Sequence, residues 1–182
     1  MSENPPSREI ASEFSLQSAI GLATSLHEGQ VTKDGRDYIE HPSRAAEVLK
    51  LQGYGGDVQM VAVLHDVIEK TDMTLGGLRE LGVPEAVVQG VDSVSIREGE
   101  DYFDAMNRAK DSPLGILVRL ADNRDHVIRI INSHLPKDEH DEQIAKYEEA
   151  LRIIIRDDFE LSSLVAPIQI GIYKLYANSS PK

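Results

Sequence analysis

His65 and Asp66 close an apolar run, Val61-Ala62-Val63-Leu64. A carboxylate beside an imidazole is costly to bury unless something compensates its charge, and a bound cation does so directly. Three further residues carry suitable donors: His41 before Pro42, Glu69 one turn after His65, and Asp122 in Leu120-Ala121-Asp122. Imidazole and carboxylate donors without sulfur suit Mn²⁺, Fe²⁺ or Zn²⁺. Such an ion draws the pKa of its bound water toward neutrality and polarises a phosphoryl oxygen. The chemistry these residues point to is metal-dependent phosphate hydrolysis. His65 alone reads more readily as a satisfied core histidine than as a ligand, and the sequence contains its own control. His140-Asp141 is the same dipeptide among Lys137, Asp138, Glu139 and Glu142, a charged stretch that reads as surface.

The elements that must position these donors are helical by periodicity. Phe14 to about Gly29 carries apolar residues at helical spacing, and Gln30 to Glu40 is a polar loop containing Gly35. Pro42 stands where helices start. Asp57 is an N-cap candidate for a helix running to about Lys70, with Val61, Leu64, His65 and Ile68 on one face. On an unbroken helix adjacent residues diverge by about 100°, so His65 and Asp66 must flank an ion above the helix shoulder. Thr74 and Pro84 open two short helices, and Arg97–Gly99 is a turn. Helices are expected over 101–110, 114–131 and 143–155. Pro167 interrupts an apolar stretch in which Ile168, Ile170 and Ile172 alternate, and a helix is expected there too.

The 182 residues suffice for one domain with a core. The expected organisation is a tail over 1–12, one domain over 13–176 and a tail over 177–182. No apolar run approaches a membrane span, and the first residues do not resemble a secretory signal. The absence of cysteine excludes disulfides and thiolate metal sites and suits a cytoplasmic location. Nineteen basic against 31 acidic residues give a net charge of −12. That excess argues against sequence-independent nucleic-acid binding and means a phosphate substrate needs a local cation or metal to receive it.

In order along the chain stand His27-Glu28-Gly29-Gln30, Tyr38-Ile39-Glu40-His41-Pro42, Ala62 through Thr71, Val118-Arg119-Leu120-Ala121-Asp122 and Tyr147-Glu148-Glu149-Ala150. Together these segments resemble the HD-domain hydrolases of the Rel/SpoT type, in particular the stand-alone small alarmone hydrolases, over roughly residues 15–155. The resemblance implies an all-α, single-domain HD bundle with no synthetase or regulatory domain following it. It implies one Mn²⁺, with Fe²⁺, Co²⁺ or Zn²⁺ as alternatives, held by His41, His65, Asp66 and Asp122. The implied reaction removes the 3′-pyrophosphate from the guanosine polyphosphates ppGpp and pppGpp. In that family pattern Glu69 orients the attacking water, Lys33 lies at the nucleotide and Tyr147 lines its pocket.

The chain departs from the pattern at three places. Lys70 follows Glu69 where the family has aspartate, a catalytic acid/base position. Lys70 either binds phosphate as a point charge or is a solvated lysine favourable to a helix end. His126 stands where the family has asparagine, one turn beyond Asp122. It either donates to the leaving phosphate, hydrogen-bonds a ligand carboxylate, or is an interior histidine satisfied by backbone. Val31-Thr32 precedes Lys33 where a basic residue is common. Arg124 reads as phosphate-facing or as the partner of a carboxylate, Tyr38 as packing, His27 as structural and His134 as loop. The expected catalytic set is Glu69, Lys70 and His126, and the expected substrate-binding set is Lys33, Arg124 and Tyr147. Two other functions compete: an HD phosphohydrolase of another small phosphate ester, and a nucleotide-binding HD domain without turnover.

Overall fold

The computed structural model describes residues 14–155 and Lys174. The expected tails, the domain limits beyond 155 and the stretch around Pro167 lie outside the described residues. The described chain is all-α, with an isolated antiparallel bridge between Val31 and Asp37.

The helices, in chain order, are α1 (Leu16–Leu26), α2 (Glu40–Leu51), α3 (Asp57–Leu64), α4 (Val67–Lys70), α5 (Leu75–Glu80), α6 (Glu85–Val94), α7 (Tyr102–Ala109), α8 (Pro113–Ile131) and α9 (Lys137–Ile154). Local chemistry fixes most of their starts. Ser15 and Ser18 cap α1 reciprocally, Thr74 caps α5, Asp101 caps α7, and Ser112 caps α8 ahead of Pro113. Each cap satisfies a backbone N–H that has no partner within its helix. Pro42 lies in the first turn of α2, where a missing N–H costs nothing.

The core forms around α3, against which α1, α2, α6 and α8 all pack. Every residue from Val58 to Leu64 is buried, so α3 is enclosed rather than one-faced. The second central helix, α8, packs on α2, α3, α6, α7 and α9, and presents Val118, Leu120, Ala121 and Val127 to the interior.

Two expected boundaries differ. The helix predicted from Asp57 to Lys70 is broken, with α3 ending at Leu64 and α4 beginning at Val67. His65 accounts for the break: its Nδ1 donates to the Ala62 carbonyl at 2.7 Å, the acceptor that an unbroken helix would offer to the Asp66 N–H. Helix α9 starts at Lys137, six residues before the expected Gln143. Its first two turns carry no apolar face, but Asp138 and Glu139 complement the positive helix end. His140-Asp141 lies there, with Asp141 exposed and paired to Lys137, in agreement with the surface reading.

Candidate metal centre

Three segments bring their donors to one point. His41 comes from the first turn of α2, His65 and Asp66 from the α3–α4 junction, and Asp122 from the middle of α8. All four are buried. His41 Nε2 lies 3.3 Å from Asp122 Oδ1 and 3.7 Å from Asp66 Oδ2. His65 Nε2 lies 3.4 Å from Asp66 Oδ2 and 3.9 Å from Asp122 Oδ1. Because the helix breaks between them, His65 and Asp66 can both turn to the same point.

These separations fit a cation's ligand shell. With metal–ligand bonds near 2.1 Å, neighbouring donors lie about 3.0 Å apart in octahedral and about 3.4 Å in tetrahedral coordination. A second observation agrees: His65 Nε2 and Asp122 Oδ1 are buried with no hydrogen-bond partner. A buried polar atom without a partner is rare and costly. Of five such side-chain atoms among the described residues, His65 Nε2 and Asp122 Oδ1 belong to this cluster, and a cation would satisfy both.

Each donor is oriented from behind. The Ala62 carbonyl holds the His65 Nδ1–H, leaving Nε2 as the lone-pair donor. His41 Nδ1 pairs with Asp125 Oδ2 at 2.7 Å, and Arg44 holds that carboxylate through Nε (2.6 Å) and Nη2 (3.1 Å). The Tyr38 hydroxyl donates to Asp66 Oδ2 at 2.5 Å. Arg119, buried in α8, donates from Nη1 to Asp122 Oδ2 at 3.1 Å and from Nη2 to the Val94 carbonyl. Asp122 Oδ1 is thereby left to the cluster. Such outer partners fix ligand orientation and tautomer.

The electrostatics follow. Burial pushes Asp122 upward, but His126, His41 and His65 outweigh it and hold the carboxyl well below the usual carboxylate range. Burial likewise raises Asp66, and His65 and His41 bring it below normal. Burial lowers His41, but contacts with Asp122 and Asp125 raise it to about 9. Asp125 is raised by burial and brought down to about 2 by His41 and Arg44.

A cleft of about 1160 Å³ opens over the cluster, sharing His41 with it, and His126 lies in the same lining. Its lining includes five cationic side chains, Lys33, Arg36, Arg44, Arg124 and Arg129, against the carboxylates Asp34, Glu47, Asp125 and Glu139. The cleft wall is therefore far less acidic than the molecule as a whole. Arg36 and Arg129 face Asp34, and Arg44 is held by Asp125. Lys33 and Arg124 form no ion pair among the described residues. The Tyr147 ring lies 5.0 Å from that of His126, nearly parallel at 14°.

Glu69 is half-buried beside the cluster, its Oε1 accepting the Ile96 N–H at 2.8 Å with Arg119 at 4.0 Å. Burial raises its carboxyl above the ordinary range, against the pull of the Ile96 N–H. Lys70 does not join the cleft. It is exposed and lines a separate depression of about 600 Å³ with Ser25, Asp72 and Thr74. The Lys70 carbonyl accepts Gln30 Nε2 at 2.9 Å, and Gln30 Oε1 meets His27 Nδ1 at 2.9 Å. The His-x-x-Gln segment thus ties α1 to the end of α4, consistent with the structural reading of His27.

Reading the residues alone left out Tyr38, Arg44, Arg119 and Asp125 as parts of the centre. For Arg119 and Asp125 a signal was present, since both are charges within the apolar periodicity of α8. Tyr38 read as packing is corrected by its hydroxyl bond to Asp66.

Comparison with known proteins places this geometry in context. No family model matches the chain. The bifunctional (p)ppGpp synthase/hydrolase SpoT of Escherichia coli (strain K12) is 34% identical over 131 residues, 66% of this chain but 18% of that protein. A guanosine-3′,5′-bis(diphosphate) 3′-pyrophosphohydrolase of Spiroplasma citri is 32% identical over 83% of this chain and 20% of its own length. The chain thus spans about a fifth of these bacterial relatives. The MESH1 guanosine-3′,5′-bis(diphosphate) 3′-pyrophosphohydrolase of Danio rerio differs: it is 32% identical over 142 residues, 74% of this chain and 78% of that protein. The chain belongs to the guanosine-3′,5′-bis(diphosphate) 3′-pyrophosphohydrolase family. A solved structure, described as a metazoan ortholog of SpoT that hydrolyzes ppGpp and plays a role in starvation responses, superposes with a TM-score of 0.67. It is 19% identical and covers 86% of this chain and 96% of its own. The pyrophosphohydrolase family thus shares its all-helical HD fold with this chain, and the cluster lies at the junction of α2, α3, α4 and α8.

Proposed function

We propose that the chain is a Mn²⁺-dependent hydrolase that removes the 3′-pyrophosphate of ppGpp or pppGpp, giving GDP or GTP and pyrophosphate. One observation carries this reading: four buried donors from three segments converge beneath a cleft whose wall is rich in cations. Family membership supports the choice of substrate. His41, His65, Asp66 and Asp122 would hold the ion, which when bound supplies an acidified water and Lewis-acid polarisation of phosphate. The remaining work falls to the chain's own side chains. Glu69 spends Oε1 on Ile96 and has its second oxygen left for a water. Its burial raises its basicity, which suits accepting a proton from that water. Lys33 and Arg124 receive the polyphosphate, and the cationic wall offsets the molecule's net charge of −12. The Tyr147–His126 stack offers a flat face to the purine. Lys70, set away from the cleft, is read as a helix-end lysine rather than a catalytic group. The cytoplasmic location expected of a cysteine-free chain belongs to the same proposal.

The test is purified chain with Mn²⁺ and ppGpp, followed by release of pyrophosphate and GDP. Turnover on the order of 1 s⁻¹ or more is expected, lost in His65→Ala and Asp122→Ala. Orthophosphate in place of pyrophosphate would point to another phosphohydrolase. Lys70 in place of the family's aspartate motivates one alternative, a domain that binds the nucleotide without turning it over. Tight calorimetric binding of ppGpp with no product, beside an active control enzyme, would establish that alternative.

A further inference from the structure

We infer that His126 is a fifth protein ligand of the metal centre, giving it three imidazoles and two carboxylates. The inference rests on the metal-binding part of the proposed function and not on the identity of the nucleotide. His126 Nε2 lies 3.2 Å from Asp122 Oδ1, a shorter approach than those of His41 (3.3 Å) and His65 (3.9 Å) to the same oxygen. A donor atom from each of His41, Asp122 and His126 lies within 4.8 Å of the others, as do donors from His41, His65 and Asp66. The two sets share His41, and His126 groups with His41 and Asp122 rather than with His65 or Asp66.

The His126–Asp122 approach is compatible with both groups facing one cation. Asp122 Oδ1 is buried and has no hydrogen-bond partner, although three ring nitrogens stand within 3.9 Å. The 3.2 Å separation matches neighbouring ligands of one cation, about 3.0–3.4 Å at ordinary bond lengths.

His126 is also preset. Its ring lies nearly parallel to Tyr147 at 5.0 Å and 4.7 Å from the His41 ring. About a third of its side chain is exposed, whereas the other two imidazoles are buried. It therefore caps the centre from the cleft. A third imidazole has a predictable chemical consequence. Imidazole favours Fe²⁺, Co²⁺ and Zn²⁺, whereas oxygen donors suit Mn²⁺, so His126 enriches the centre in nitrogen and raises its affinity for the later metals most.

The experiment uses the full chain and the metal alone. Metal-free protein is loaded with one equivalent of Co²⁺, and X-ray absorption counts the coordinated imidazoles. Three are expected for the native chain and two for His126→Asn. In parallel titrations, His126→Asn is expected to weaken Co²⁺ binding by about tenfold or more, and Mn²⁺ binding by less. A native count of two overturns the inference whether or not any variant folds, as does a Co²⁺ affinity unchanged in His126→Asn. His126→Gln repeats the comparison with a longer amide. No nucleotide enters these measurements, so failure to hydrolyse ppGpp leaves this result standing, and the reverse also holds.

Discussion

Asp125 illustrates how much of the centre's behaviour belongs to residues that touch no ion. Its carboxylate takes the His41 Nδ1 proton at 2.7 Å and is clamped by Arg44. That arrangement fixes which ring nitrogen of His41 carries its lone pair toward the cluster. Asp125→Asn keeps the shape but removes the charge, so metal affinity should fall about 10–100-fold. Calorimetric titration of metal-free protein checks this, and unchanged affinity would show that His41 needs no such support. The donors themselves were legible in the sequence because charge stands out in an apolar frame, at Leu64-His65-Asp66 and Leu120-Ala121-Asp122. Their supports were less legible. Tyr38 reaches Asp66 across 28 positions and Arg44 reaches Asp125 across 81. Neither pairing leaves a trace in spacing. Lys70 shows the reverse case: it stands beside Glu69 in the sequence, but the end of α4 carries it to a separate depression, where its helix-end reading fits.

At the scale of elements, the position of α3 sets the position of His65. Gly90 of α6 lies against Val61, one turn before His65. A Cβ at Gly90 would sit 2.5 Å from Val61 Cγ2, closer than real Cβ atoms approach a neighbour. Alanine's helix propensity favours it over glycine by about 1 kcal/mol, whereas overpacking a core costs about 1–3 kcal/mol. Val61 is fully buried and β-branched, so it has little room to yield. Gly90→Ala should therefore be destabilising by up to about 2 kcal/mol net in denaturant titration, and a stability gain would show that α6 moves freely. The turn between α6 and α7 is held differently. Arg108 binds the carbonyls of Asp92, Ser93 and Ser95 together with Glu100, whose carboxyl it holds down to about 2. A depressed carboxylate contributes stability that is present above its unfolded pKa and lost as pH falls through its folded one. The native chain should thus lose melting temperature between about pH 4.5 and 2 more steeply than Glu100→Gln, and parallel curves would show that the latch contributes nothing. The helices were legible where apolar spacing and caps coincide, as at Ser112-Pro113. The α3–α4 break was hidden because apolar residues continue through Val67 and Ile68, while the signal that ends α3 is a side-chain bond from His65 to its own backbone.

For the whole molecule, the centre joins parts of the chain that are otherwise distant: α2, the α3–α4 junction and α8 meet there. Without a cation, the same point gathers two carboxylates whose Oδ atoms face three imidazoles, with Asp122 Oδ1 and His65 Nε2 lacking hydrogen-bond partners. The fold thus holds together a set of groups that metal binding would satisfy, and unfolding separates them. A ligand that binds only the folded chain stabilises it by about 2.7 kcal/mol at a hundredfold excess over its dissociation constant. In a chain of this size that corresponds to a melting temperature higher by about 5–10 °C. Removing the ion with a chelator should reverse the gain, and adding Mn²⁺ back should restore it. Asp122→Ala should melt at one temperature with or without metal, because the oxygen shared by all three imidazoles is gone. That comparison separates metal linkage from a general salt effect, which would shift both proteins alike given a surface of net charge −12. Equal melting temperatures for the native chain in chelator and in Mn²⁺ would mean that the cluster is only a network of buried ion pairs.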